Sequence, residues 1–130
     1  MPFNIINMQD KFSVMIVEDH PINLKLVNVL LESYGFNVIC CSDAESALTK
    51  LVNKVPDMII MDIGLPGMDG LELTQVIKSN MLFRHIKIVA LTAFAMKSDK
   101  EKVFEAGCDG YITKPIDTRN FEEQIMRFLK

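Results

Sequence analysis

The chain has no long apolar run, no block of basic residues, and only three cysteines among its 130 residues. Each shortage removes a class of function. A bilayer span needs ~20 consecutive apolar residues, and no stretch here approaches that, so no membrane association is expected. Nucleic-acid-binding modules usually carry a basic stripe. Here the formal net charge is −3 and Lys and Arg are scattered, which argues against direct contact with nucleic acid. Cys40, Cys41 and Cys108 are odd in number and lack metal-ligand spacing, as expected of reduced thiols in a cytoplasmic protein. The opening Met1 to Met8 has no basic region, and Asn4 and Asn7 break its apolar content, which argues against a signal peptide. Internal repeats and low-complexity stretches are also missing.

What remains is a length that fits one compact domain. Residues 1–12 read as a flexible N-terminal extension and 13–130 as the domain. With 49% hydrophobic and 24% charged residues, the chain has enough apolar material for a core.

Five short apolar runs alternate with five amphipathic segments. The runs are Val14–Val17, Phe36–Cys40, Met58–Met61, Ile86–Leu91 and Tyr111–Ile112. The first and third are continuous rather than alternating, which suits parallel strands buried on both faces. Cys40 and Cys41, neighbours in the strand of the second run, should point to opposite faces.

Between the runs the period turns helical. Leu24, Val27, Leu30, Leu31 and Tyr34 share a face that Gly35 ends. Ser42 and Glu45 have capping-box spacing ahead of an inward set of Ala44, Ala47, Leu48, Leu51 and Val52, and Pro56 bars continuation. A third helix holds Leu73, Val76 and Ile77. Ser98 and Glu101 suggest another capping box, Gly107 a stop, and Asp117 a cap for the helix of Phe121, Ile125, Phe128 and Leu129. This alternation predicts an α/β fold with a parallel sheet and helices on both faces. Ligands of such folds sit beyond the carboxyl ends of the strands.

Those ends carry chemistry. The first run ends in Glu18-Asp19, the third in Asp62 and the fourth in Thr92, and the fifth leads into Lys114-Pro115. Crowded carboxylates repel unless a cation joins them. Hard oxygen ligands with room for water suit Mg2+, with Mn2+ as the alternative ion. Lys114 adds a fixed charge and Thr92 a hydroxyl. Together these parts make a phosphoryl-transfer site in which Asp62, from a central strand, is the best nucleophile. Each residue alone has a plainer reading: a helix cap or turn for Glu18-Asp19 and for Asp62, an ordinary turn for Lys114-Pro115, a strand former for Thr92. Their coincidence at one rim is what carries weight.

Four segments then closely resemble the response-regulator receiver family of two-component signalling. They are Val14–Asn23, Asp57–Gly70, Ala90–Ala95 and Gly107–Pro115, in family order and spacing, within a match over residues 13–130. The resemblance implies a (βα)5 doubly wound, flavodoxin-like fold with sheet order 2-1-3-4-5. It implies that Asp62 takes a phosphoryl group from a histidine kinase or histidine phosphotransfer protein. Glu18, Asp19, Asp62 and the Gly64 backbone carbonyl would hold the metal. Thr92 would bind a phosphoryl oxygen, Lys114 would pair with the phosphate, and Tyr111 would move inward as a switch. The Lys114–Pro115 bond would be cis. The partner surface would be the face of the fourth helix, fifth strand and fifth helix, with Phe94 and Met96 on the loop leading into it.

Gly64 departs from the family, where a larger residue often sits, and leaves access to phosphorus more open. Phe94 places an apolar ring where some relatives have a polar group, pointing to slow self-dephosphorylation. His20 and His85 read as surface residues. Such a chain is no conventional enzyme, and it is either a stand-alone receiver or a piece of a larger regulator or hybrid kinase. A small-phosphate-ester hydrolase is disfavoured because Gly64 stands where its second Asp belongs. A flavin or nucleotide carrier is disfavoured because Glu18-Asp19 would repel its phosphate. The remaining alternative is a receiver-like interaction module that works without phosphorylation.

Overall fold

The computed structural model describes residues 12–65, 67–93 and 96–129. Among them, strands and helices alternate: β1 (Ser13–Val17), α1 (Pro21–Ser33), β2 (Asn37–Cys41), α2 (Ala44–Asn53), β3 (Met58–Asp62), α3 (Gly70–Ser79), β4 (Lys87–Thr92), α4 (Lys97–Glu105), β5 (Gly110–Thr113) and α5 (Phe121–Leu129). The strands form one parallel sheet in the order β2-β1-β3-β4-β5, the expected doubly wound, flavodoxin-like arrangement.

β1 and β3 are buried along their whole length, which is why they read as unbroken apolar runs. Alternation sends their side chains to two cores. Met15, Val17, Ile59 and Met61 meet Leu51, Leu73, Ile77 and Val103 under α2, α3 and α4. Val14, Ile16, Met58 and Ile60 meet Val27, Leu31, Phe121 and Ile125 under α1 and α5. Each large side chain so buried contributes roughly 1.5–3 kcal/mol, making the central strands a fixed frame. Cys41 joins the first core while Cys40 packs half-buried against the second, as their alternation requires. No helix among the described residues is long and apolar enough to cross a membrane.

Several local expectations need correction. Asp43, not Ser42, caps α2: its carboxylate accepts the Ser46 N–H at 2.7 Å, a charged acceptor at the positive end of a helix. Val52 is 78% exposed because the inward stripe of α2 is Ala44, Ala47 and Leu51, with Leu48 half-buried beside it, and Val52 lies a further step around the helix. Val76, likewise, is 42% exposed. Ser98 lies inside the first turn of α4, whose N-cap is Met96, with no side-chain cap. Asp117 accepts the Arg119 N–H and the Asn120 amide, fixing the turn before α5 rather than capping it. Gly35 and Gly107 follow α1 and α4 with φ of 96° and 108°, a conformation that favours glycine at helix ends. The extension expected at 1–12 lies outside the described residues except for Phe12. That residue packs half-buried on the α1/α5 core and accepts the Asn37 N–H through its carbonyl.

The start of α3 is pressed onto the end of β3. The Gly70 N–H donates to the Ile63 carbonyl at 3.3 Å, and a Cβ at Gly70 would collide with the Asp62 carbonyl oxygen and the Ile63 backbone. Gly70→Ala should therefore cost roughly 1–3 kcal/mol through overpacking. Gly64→Ala, whose Cβ would come no closer than 3.9 Å to Asp62 Oδ1, should stay within about 0.5 kcal/mol of wild type. Urea denaturation of both variants measures this, and equal stability of the two would contradict the packing argument.

Candidate functional site

The carboxyl ends of β1, β3, β4 and β5 meet at one rim because the strands are parallel and adjacent. Glu18 continues β1 by one residue, its N–H bonded to the Cys41 carbonyl at 3.0 Å. Asp62 is the last residue of β3. Since Ile16 pairs with Ile60, alternation carries Glu18 and Asp62, two residues beyond each, to neighbouring places. Thr92 ends β4, and the Lys114 N–H bonds to its carbonyl at 2.7 Å. The Lys114–Pro115 bond is cis, as expected.

Glu18 is 1% and Asp62 7% exposed, whereas Asp19 is exposed. Ligand atoms of these three carboxylates lie within 4.8 Å of one another. Lys114 Nζ stands 3.4 Å from both Glu18 Oε1 and Asp62 Oδ1, and the Gly64 N–H donates to Asp62 Oδ1 at 3.1 Å. Asp62, Gly64, Thr92, Lys114 and Asp19 line a cleft of about 270 Å³.

One ammonium does not balance three carboxylates. Burial, foremost, pushes the Glu18 carboxyl from 4.5 up to about 7, with Asp62 beside it adding to the rise and Lys114 opposing it. For Asp62, burial again opposes the charge, but Glu18 as proton donor, the Gly64 N–H and Lys114 together outweigh it and hold its carboxyl below the ordinary 3.8. The pair thus tends to keep one proton on Glu18. Among the described residues, Glu18 Oε2 is buried with no hydrogen-bond partner. An orphaned acceptor of this kind, next to two further carboxylates, fits a hard divalent cation and its water.

The other expected residues fall elsewhere. Tyr111 is half-buried in β5 and does not line the cleft. Its ring meets Phe104 edge-on at 5.9 Å, with Lys100 Nζ 5.0 Å from its centroid. Met96 is 71% exposed before α4. Phe94 lies outside the described residues. His20, expected on the surface, is exposed, but it also lines the cleft. Sequence reasoning did not single out Asn23 or Ala93, which line the cleft too. The available signal for Asn23 was its place in the first turn of the helix that follows Glu18-Asp19.

Comparison with known proteins extends this picture. Residues 14–126 match the family described as the response regulator receiver domain. The polar-differentiation response regulator DivK of Brucella ovis is 44% identical over 117 residues, spanning 90% of this chain and 95% of that protein. The receiver domain of a sensor histidine kinase from Pseudomonas aeruginosa, solved with a magnesium ion coordinated in its active-site cleft, has a TM-score of 0.83 and 30% identity, covering 91% of this chain and 97% of that one. The signal receiver domain of a histidine kinase from Syntrophus aciditrophicus matches with the same TM-score and identity over 91% of this chain and 89% of its own.

The raised Glu18 carboxyl has a consequence for stability. Between 4.5 and about 7 the folded state binds more protons at Glu18 than the unfolded state does. Its contribution is complete below 4.5 and is lost as pH rises through about 7. In a chelator, the unfolding free energy should fall with pH across that window, and Glu18→Gln should flatten the slope. Asp62, lowered, acts only at more acidic pH. Urea titrations at stepped pH measure both proteins, and identical slopes would rule the assignment out.

Proposed function

The chain belongs to the response regulator receiver domain family, and from that premise we propose that Asp62 accepts a phosphoryl group from a phosphohistidine of a kinase or phosphotransfer protein. Receiver domains are signalling modules of two-component systems rather than conventional enzymes. The observation that carries the proposal is the buried pair of Glu18 and Asp62 with Lys114 Nζ 3.4 Å from each.

In this reading an Asp62 carboxylate oxygen attacks phosphorus in line, the O–P bond forms as the N–P bond breaks, and the electron pair stays on the imidazole nitrogen. The Gly64 N–H fixes the carboxylate through Oδ1. Lys114, already facing Asp62, follows the negative charge onto the phosphoryl oxygens, and the Thr92 hydroxyl donates to one of them. Glu18, Asp19 and Asp62, with the Gly64 carbonyl, would hold Mg2+ (or Mn2+), which when bound neutralises charge on the transferring group. The lack of a side chain at Gly64 leaves the approach to Asp62 open.

Phosphorylation then places about −2 of charge at the rim, and a full swing from 1:99 to 99:1 in favour of the active form requires ~5.5 kcal/mol. The readout is a protein partner at the face of α4, β5 and α5, where Tyr111, Phe104 and exposed Met96 lie. A cytoplasmic setting, with no direct nucleic acid or membrane contact, belongs to the same reading.

Incubation with acetyl phosphate and Mg2+ should add one phosphoryl group to the intact mass. Chelator should prevent it and Asp62→Asn should abolish it. Lys114→Ala should slow it on the order of a hundredfold, the scale for losing one charge-stabilising donor. Labelling of Asp62→Asn to the wild-type extent would disprove the assignment.

A further inference from the structure

An open sheet has two outer strands, and here they are β2 and β5. An outer strand offers its N–H and C=O groups to any second strand, and proteins guard such edges with short strands, prolines or lysines. β5 is four residues long and runs into Lys114-Pro115. β2 has neither protection. Phe36 to Cys41 reads Phe-Asn-Val-Ile-Cys-Cys, without charge, proline or glycine, the composition of a segment that pairs readily with a copy of itself.

The hydrogen bonds show which groups face outward. The Asn37 N–H donates to the Phe12 carbonyl, and the Cys41 carbonyl accepts the Glu18 N–H. Residues 37, 39 and 41 therefore direct their backbone groups to β1, and by alternation Val38 and Cys40 direct theirs away from the sheet. That spacing matches itself. About a two-fold axis at Ile39, the Val38 groups of one copy meet the Cys40 groups of an antiparallel second copy and exchange hydrogen bonds in both directions.

One side chain stands in the way. Lys50, in the last turn of α2, lays its ammonium on the Cys40 carbonyl at 2.6 Å. It occupies the acceptor that a second strand would use and sets a strongly hydrated charge where that strand would lie. Symmetry would bring one such ammonium from each copy to the joint, and pairing would have to displace and desolvate both. The bond is exposed to solvent and adds little to folding, so its effect is exclusion. We propose that Lys50 guards the β2 edge, and that the edge it closes is a strand-pairing surface for a second copy of this chain. The match of Val38 with Cys40 across a two-fold axis is what selects a second copy over an unrelated peptide. The edge lies on the opposite side of the sheet from β5, so the inference is independent of the partner face described above.

Sedimentation equilibrium of the unphosphorylated full chain, under reducing conditions, tests this. Lys50→Ala should tighten self-association roughly thirtyfold, the scale of one freed acceptor in each copy. Lys50→Arg, which keeps a donor and a charge, should behave as wild type. Losing a positive charge from a chain of net charge −3 increases repulsion between copies, so general electrostatics predicts the opposite trend. In Lys50→Ala the Val38 and Cys40 amides should exchange hydrogen more slowly at high protein concentration than at low. Adding Val38→Pro, which removes an outward N–H, should restore the wild-type mass. Self-association of Lys50→Ala equal to that of wild type overturns the proposal. So does a Lys50→Ala dimer whose Val38 and Cys40 amides gain no protection, since another face would then hold it.

Discussion

Two carboxylates and one ammonium share a nearly dry corner of the sheet, and the rest of the molecule is organised around keeping them there. Glu18 at 1% exposure has little water to hydrate its charge, so it is the proton-holding partner. Asp62, fed by the Gly64 N–H and by Lys114, stays the charged one. Had both been solvated, they would be two ordinary acids. Burial penalises the charge on both, and the Gly64 N–H on Asp62 helps make them unequal, leaving the proton with Glu18 and the charge with Asp62.

Holding charges in such a place requires a frame that does not yield. The frame is the pair of central strands, apolar on both faces and covered by helices on both sides. Parallel pairing aligns all the carboxyl ends on one edge, where backbone groups run out of ladder partners and loops take over. The tight seat of Gly70 on the end of β3 fixes the loop that carries Gly64, and the bond from the Lys114 N–H to the Thr92 carbonyl fixes the loop that carries Lys114. Asp19 and Met96, by contrast, stand exposed to water.

Much of this was legible in the letters. The unbroken runs Val14–Val17 and Met58–Met61 announced buried parallel strands, and the acids and the lysine at run ends announced a rim. The helix caps were less legible: Ser42, Ser98 and Asp117 each had suitable chemistry, but neighbouring residues took the cap positions or left them without a side chain. Capping depends on where the helix axis begins, and packing against the sheet decides that. Val52 and Val76 were misplaced for a related reason, since an apolar residue just beyond a narrow stripe looks the same in sequence as one within it.

The sequence by itself determined the alternation of strands and helices and the chemical types at the strand ends, because side-chain period and residue identity are local properties. Tertiary structure alone decided which of those ends meet. Lys114 reaches Glu18 across 96 residues and Asp62 across 52, a convergence set by sheet order rather than by any spacing in the chain. It also decided that Glu18 holds its proton to about 7, since desolvation comes from neighbours brought in by the fold.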